Sequence, residues 1–236
     1  MASSKCRRCG GKGYYLVDED TAIICSCVKK AKDKLKIKRV IKESNLPKSV
    51  EEYKFDSYIG EDRTGNLKKI EIYIKKFKEK FSDKSLYFFG VGSVQKTTLM
   101  SYIGRELSFL GYSVHFTLMD ALIKLITAAQ FDEDKAIELI RIEKCDLILL
   151  DDCFDKKKVT LYKSEYQLSF LDSFLRNRLE IRKGATIFTS NIEIGDINNQ
   201  GFGQSIQDLV ERNAIPLEFS DRVELKDKFD IDTLWD

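Results

Sequence analysis

Five short strand-like runs, separated by stretches whose apolar residues return every three or four positions, set the layout of most of this chain. The runs are Ser85–Phe89, Ser113–Thr117, Asp146–Asp151, Ala185–Thr189 and Pro216–Val223. Strands alternating with helical patterns predict parallel β-α units, hence an α/β three-layer sandwich around a parallel sheet. Ahead of the first run, Gly65-Asn66 precedes Leu67, Ile70, Ile74, Phe77 and Phe81, and this spacing predicts an amphipathic helix. Residues 28–41 read differently. Lysine recurs at nearly every second position, and Ala31, Leu35 and Ile37 leave only a thin apolar stripe, as expected of an exposed strut or linker helix. Asn45-Leu46-Pro47 should end it, because the residue before a proline is pushed out of helical geometry. The aromatic stretch Tyr53 to Tyr58 is expected to pack on the following domain. Near the start, Tyr14–Val17 and Thr21–Ile24 read as short strands joined by Asp18-Glu19-Asp20. The pattern divides the chain into a small module (1–28), a basic helical linker (29–58) and an α/β domain (59–236).

Composition adds an asymmetry. The net charge of the 236 residues is only +2, but residues 1–50 hold 13 Lys/Arg against 5 Asp/Glu, while residues 201–236 hold 4 against 9. A basic arm on a near-neutral body points to an anionic partner such as nucleic acid, although a solvated lysine-rich helix would give the same count. No apolar run approaches the roughly 18 residues of a membrane span, and no signal peptide opens the chain, so no membrane association and a cytoplasmic location are expected.

Four of the six cysteines lie in Cys6-Arg-Arg-Cys9 and Cys25-Ser-Cys27, while Cys145 and Cys153 flank the run 146–151 and read as core or near-core residues. A C-x₂-C…C-x-C pattern in a reducing compartment predicts tetrahedral zinc more readily than disulfides. The short strands would bring the pairs together. With all four ligands supplied by protein, such a zinc site would be structural. Lys5, Arg7, Arg8 and Lys12 beside Tyr14 and Tyr15 suit either nucleic-acid contact or a soluble protein-docking knuckle.

The run 85–89 leads into Gly90-Val91-Gly92-Ser93-Val94-Gln95-Lys96-Thr97-Thr98. A strand, a small-residue loop, Lys-Thr and then a helix make a phosphate-binding loop for ATP or ADP. Gly90 and Gly92 to Thr98 would line it, with Lys96 at the β/γ-phosphates and the Thr97 hydroxyl on Mg²⁺. The usual motif has glycine immediately before the lysine; here that residue is Gln95. Asp151 and Asp152 end an apolar run about 50 residues later, as needed to hold Mg²⁺ and to polarise an attacking water. Ala185–Thr189 ends in Ser190-Asn191, whose amide could orient that water or simply form a turn.

Taken together, the loop, Leu149-Leu150-Asp151-Asp152, Thr189-Ser190-Asn191 and the earlier Asn45-Leu46-Pro47…Phe55-Asp56-Ser57-Tyr58 resemble the DnaC/DnaI-type replicative helicase loaders. The related IstB transposition ATPases are also similar, and both groups are AAA+ ATPases. The resemblance covers roughly residues 45–224. It implies an AAA+ P-loop fold, with Lys96 and Thr97 at phosphate and Mg²⁺, Asp151 at Mg²⁺, Asp152 near the water and Asn191 as sensor 1. It also implies an arginine finger about one helix later. Ser205 to Asn213 reads as that helix, capped by Ser205 and carrying Arg212; Arg222 is the rival, and Arg176 and Arg178 are weaker interface candidates. The implied function is an ATP-dependent loader that self-associates through its AAA+ domains, grips single-stranded DNA and binds the hexameric helicase. Two others stay open: an IstB-like ATPase on duplex DNA, and a nucleotide-insensitive zinc adaptor. Because glutamine cannot copy glycine's backbone freedom, hydrolysis is expected to be slow or partner-dependent.

Overall fold

All five runs become strands of one parallel sheet in the computed structural model, which describes residues 6–18, 21–58, 62, 64–90, 95–159 and 165–219. Before the sheet come a hairpin, β1 (Tyr14–Leu16) and β2 (Ala22–Ile24), and a long helix, α1 (Ser26–Glu43). The domain continues with α2 (Asn66–Lys75), β3 (Ser85–Phe89), α3 (Lys96–Phe109), β4 (Val114–Leu118), α4 (Met119–Ala128) and α5 (Glu133–Glu143). It closes with β5 (Leu147–Asp151), α6 (Glu165–Arg176), β6 (Ala185–Thr189), α7 (Gln204–Asn213) and β7 (Ala214–Glu218). The strand order is β4-β5-β6-β3-β7, and every neighbouring pair is parallel.

Alternation along the strands sorts the core into two layers. Leu86, Phe88, Leu147, Leu149 and Ile187 face α2, α3 and the end of α1. Tyr87, Ile148, Leu150 and Phe188 face α4, α6 and α7. With both faces covered, the central strands are apolar throughout, the expected composition of a parallel sheet. β7 begins two residues earlier than the apolar pattern suggests and ends at Glu218, while residues 220–223 of the expected run lie outside the described residues; Pro216 lies inside the strand. As an edge strand, β7 tolerates a residue with no N–H.

The helix pattern after Gly65 breaks in two. α2 ends at Lys75, and a wider π-type turn at Phe77–Phe81 follows. Phe77 and Phe81 both pack on the Tyr73 ring, with centroids 5.5 and 5.2 Å away. The α2 start is capped by the Asp62 carboxylate, which accepts from the Asn66 and Leu67 N–H groups at 2.7 and 3.0 Å.

α1 is solvent-exposed over most of its length, but Val40 and Ile41 are buried, as are Leu46 and Val50 beyond it. The basic segment is therefore bound to the sheet domain from about residue 40 onward. Asn45, in the left-handed region at φ 54°, ends the helix ahead of Pro47. There the Phe116 N–H of β4 donates to the Ser44 carbonyl (2.9 Å), and the Asn45 side-chain amide donates to the Phe116 carbonyl (2.9 Å). This covers the outer edge of β4. Arg105 holds the rest of the connection: its Nη1 donates to the carbonyls of Val50 (2.7 Å) and Tyr53 (2.8 Å).

Candidate nucleotide site and metal centre

The site lies at the carboxyl ends of β3, β5 and β6, where an open α/β sheet binds ligands. Gly90 leaves β3 at φ 128° against the turn after β7, and any side chain there would collide with the Phe219 carbonyl. Gln95 is the residue just before α3 and sits in the left-handed region (φ 58°, ψ 21°). Its carbonyl accepts from the Leu99 N–H at 2.9 Å, so α3 starts in register without a glycine. The backbone conformation costs about 1 kcal/mol for a residue with a Cβ, and the Gln95 Oε1 is buried with no hydrogen-bond partner among the described residues. Gln95→Gly should therefore raise folding stability by about 1 kcal/mol, the strain that is relieved. Chemical denaturation of the two proteins checks this; no gain in stability would mean that the glutamine backbone carries no strain.

Lys96 is 8% exposed, and its Nζ donates to the Gly90 carbonyl (2.9 Å) and to Asn191 Oδ1 (3.2 Å). Burial lowers its pKa to about 8, the nearby Lys158 ammonium adds to this, and Asp151 and Asp152 oppose it. It is thus still mainly an ammonium at neutral pH. The Thr97 hydroxyl donates to Asp151 Oδ1 at 2.8 Å, and the same carboxylate oxygen accepts from the Thr189 hydroxyl. Burial raises the Asp151 pKa, and the two hydroxyl donors counter it. Asp152 adopts φ 54°, its N–H donates to Thr189 Oγ1 (3.2 Å), and its carboxylate pairs with Lys158 Nζ. Thr98 lies in the first turn of α3. Gly92, Ser93 and Val94, also expected to line the loop, fall outside the described residues, as does Arg222.

The fold therefore brings Lys96, Thr97, Asp151, Asp152 and Asn191 to one place from three strand ends. A hydroxyl beside a buried carboxylate, an ammonium beside an amide and a glycine against backbone fit a magnesium nucleotide. When bound, Mg²⁺·ATP would supply the scissile phosphoanhydride and its counter-ion. Thr97 and Asp151 would hold the metal, Lys96 would hold phosphate oxygens, and Asp152 with Asn191 would orient water. Two participants escaped the pattern reading. Thr189 was visible only as part of a polar strand end, and Lys158 sits in a lysine run with no motif of its own.

Arg212 lies at the end of α7, 60% exposed in its side chain, where Nη2 meets Glu180 Oε1 at 3.2 Å. The α7 N-cap is Gly203, not Ser205; the Ser205 hydroxyl instead donates to Asp172 at 2.6 Å. Arg176 pairs with Asp172 and Glu180 within the chain. Arg178 is no interface residue: it is 2% exposed.

In the amino-terminal module, the Sγ atoms of Cys6, Cys9, Cys25 and Cys27 all lie within 4.8 Å of one another. Cys6 and Cys25 are 3.8 Å apart, and Cys9 and Cys27 3.5 Å. Metal–sulfur bonds of about 2.3 Å in a tetrahedron imply sulfur separations of about 3.8 Å, so the cluster fits zinc. Backbone N–H groups of Cys9 and Arg8 lower the Cys6 thiol to about 6, easing formation of the thiolate ligand. The hairpin β1–β2 joins the pairs in antiparallel register, Tyr15 opposite Ile23. No helix among the described residues is long and apolar enough to cross a membrane.

Sheet order, helices on both faces and the paired aspartates at the end of β5 define an α/β three-layer fold around a parallel sheet. No family model matches the sequence, and no curated protein matches it. Among solved structures, DnaI shares the fold with a TM-score of 0.60 at 20% identity, over 73% of this chain and 94% of that one. The DnaC helicase loader gives 0.58 at 18% identity, over 74% of this chain and 100% of that one. The replication initiator DnaA, bound to AMPPCP and single-stranded DNA, gives 0.57 at 18% identity, over 71% of this chain and 49% of that one.

Proposed function

We propose that this protein is an ATP-dependent loader of a hexameric replicative helicase, acting with single-stranded DNA during replication initiation. The observation that supports it is the P-loop domain whose fold matches DnaI and DnaC over nearly the whole length of those structures. It is joined through a lysine-rich helix to a four-cysteine hairpin suited to zinc. In this reading Lys96, Thr97 and Asp151 hold Mg²⁺·ATP, Asp152 and Asn191 position water, and hydrolysis is slow because of Gln95. The domains would stack on one another, with Arg212 exchanging Glu180 for a neighbour's nucleotide as the finger. The exposed face of α1 would follow a phosphate backbone, and the cysteine hairpin would dock on the helicase. The resemblance of the DnaA complex, which holds AMPPCP and single-stranded DNA, agrees with a ligand pair of this kind.

Capture of candidate hexameric helicases by the full chain, with and without ATP, tests the reading. ATP-dependent co-elution with one hexamer is expected, together with preference for single-stranded over duplex DNA. Preference for duplex DNA with no helicase captured would instead favour a transposition-type ATPase.

A further inference from the structure

Lys158 belongs to no motif, yet it points into the phosphate site. It sits on a turn after β5 that is fixed at several points. The Asp155 carbonyl accepts from the Lys158 and Val159 N–H groups (both 2.9 Å), and Asp155 Oδ1 accepts from the Lys157 N–H (2.9 Å). Phe154 and Val159 are buried on either side of it. The Ser190 hydroxyl donates to the Cys153 carbonyl at 2.6 Å, tying the turn to the end of β6. From this base Lys158 Nζ reaches Asp152 Oδ1 at 2.5 Å. Its neighbours Lys156 and Lys157 are exposed and have no carboxylate partner among the described residues.

The ion pair does little for folding, since its side chains are 39% and 45% exposed and such pairs are worth little in water. Its location is the informative part. Lys158 pairs with Asp152, and Lys96 feels the charges of Lys158, Asp151 and Asp152, so two ammonium groups converge where the loop motif alone supplies one. A polyphosphate carries more charge than one solvent-screened carboxylate and competes for both. We propose that Lys158 is a terminal-phosphate ligand within the same chain, which exchanges Asp152 for the γ-phosphate of ATP. The exchange makes up for a loop that lacks the glycine before Lys96, and it frees the Asp152 carboxylate for water. ADP has no γ-phosphate, and with it Lys158 stays on Asp152. The proposal rests on the reading of this site as an ATP site.

Titration of fluorescent ATP and ADP analogues into the full chain tests it. Lys158→Ala should weaken ATP binding about tenfold, the value of one charge-assisted contact, and shift ADP binding less than twofold. Lys158→Arg should recover most of the ATP affinity, and Lys157→Ala should change neither. A thermal midpoint within about 2 °C of the parent shows that the variants fold. Equal losses for both nucleotides, or none, would overturn the proposal. So would faster hydrolysis at unchanged affinities, which would make the pair a brake on Asp152. If the parent protein binds neither analogue, the ATP-site reading itself fails, and the role of Lys158 fails with it.

Discussion

Arg178→Met should lower the stability of this protein by about 3–5 kcal/mol and its thermal midpoint by about 10 °C, the largest effect expected of any single change outside the apolar core. The guanidinium donates from Nη1 to the carbonyls of Glu143 (2.9 Å) and Cys145 (2.6 Å), and from Nη2 to those of Asp146 (3.1 Å) and Ala185 (2.6 Å). Burial pulls its pKa down to about 10, and nearby Cys145, Asp146 and Glu143 oppose the shift, so the group stays charged at neutral pH. Removing it leaves several carbonyls inside the protein without their donor. The site also needs Gly184, since a Cβ there would run into the guanidinium. Arg178 therefore pins the starts of β5 and β6, where Leu147 is paired with Ala185. The opposite ends of those strands carry Asp151 and Thr189, so loss of this anchor should reach the phosphate site as well. Lysine, a compact ammonium without a fork, should restore only part of the stability. Thermal denaturation of the two variants beside the parent measures this, and a midpoint shift under 2 °C for Arg178→Met would contradict it.

Asp151→Asn should reduce hydrolysis at least 100-fold without lowering the thermal midpoint. The carboxylate is 5% exposed, accepts from the Thr97 and Thr189 hydroxyls, and has its pKa raised by burial. Within the folded chain its charge is disfavoured, so an isosteric neutral amide should be tolerated or slightly stabilising. A hard divalent cation, however, needs the anionic oxygen, and its help to phosphoryl transfer is worth several kcal/mol. Phosphate-release assays together with melting curves separate the two effects. Hydrolysis within threefold of the parent would remove Asp151 from the metal site; a large drop in midpoint would show that it acts structurally.

How much of this was legible beforehand depends on how local each feature is. The sheet was readable because its central strands are buried on both faces, so each appears as an apolar run whatever its neighbours. Asp151, Asp152, Lys96, Thr97 and Asn191 were readable because each sits at a strand end or helix start that fixes its direction. The loop glycine missing at Gln95 was visible, but not that the residue would take the glycine's left-handed conformation and keep α3 in register. Residues that act across the fold stayed hidden. Arg178 looks like any arginine on a helix until β5 and β6 close around it. Lys158 is one of three lysines in a row until the turn at Asp155 aims it at Asp152. The lysine-rich helix reads as an exposed strut or linker because its lysines outnumber its apolar residues. Val40 and Ile41 dock because the edge of β4 needs a cover, which no local pattern records.

The central claim is that the ends of β3, β5 and β6 form one Mg²⁺·ATP site despite Gln95. Calorimetric titration of the full chain with Mg²⁺·ATP, beside Lys96→Ala, tests it most directly. One saturable site is expected in the parent. Loss of a buried charge-assisted contact should weaken the variant by about 10–100-fold. Absence of binding to the parent at millimolar ATP, or equal affinity in both proteins, would contradict the claim and leave the P-loop as scaffold.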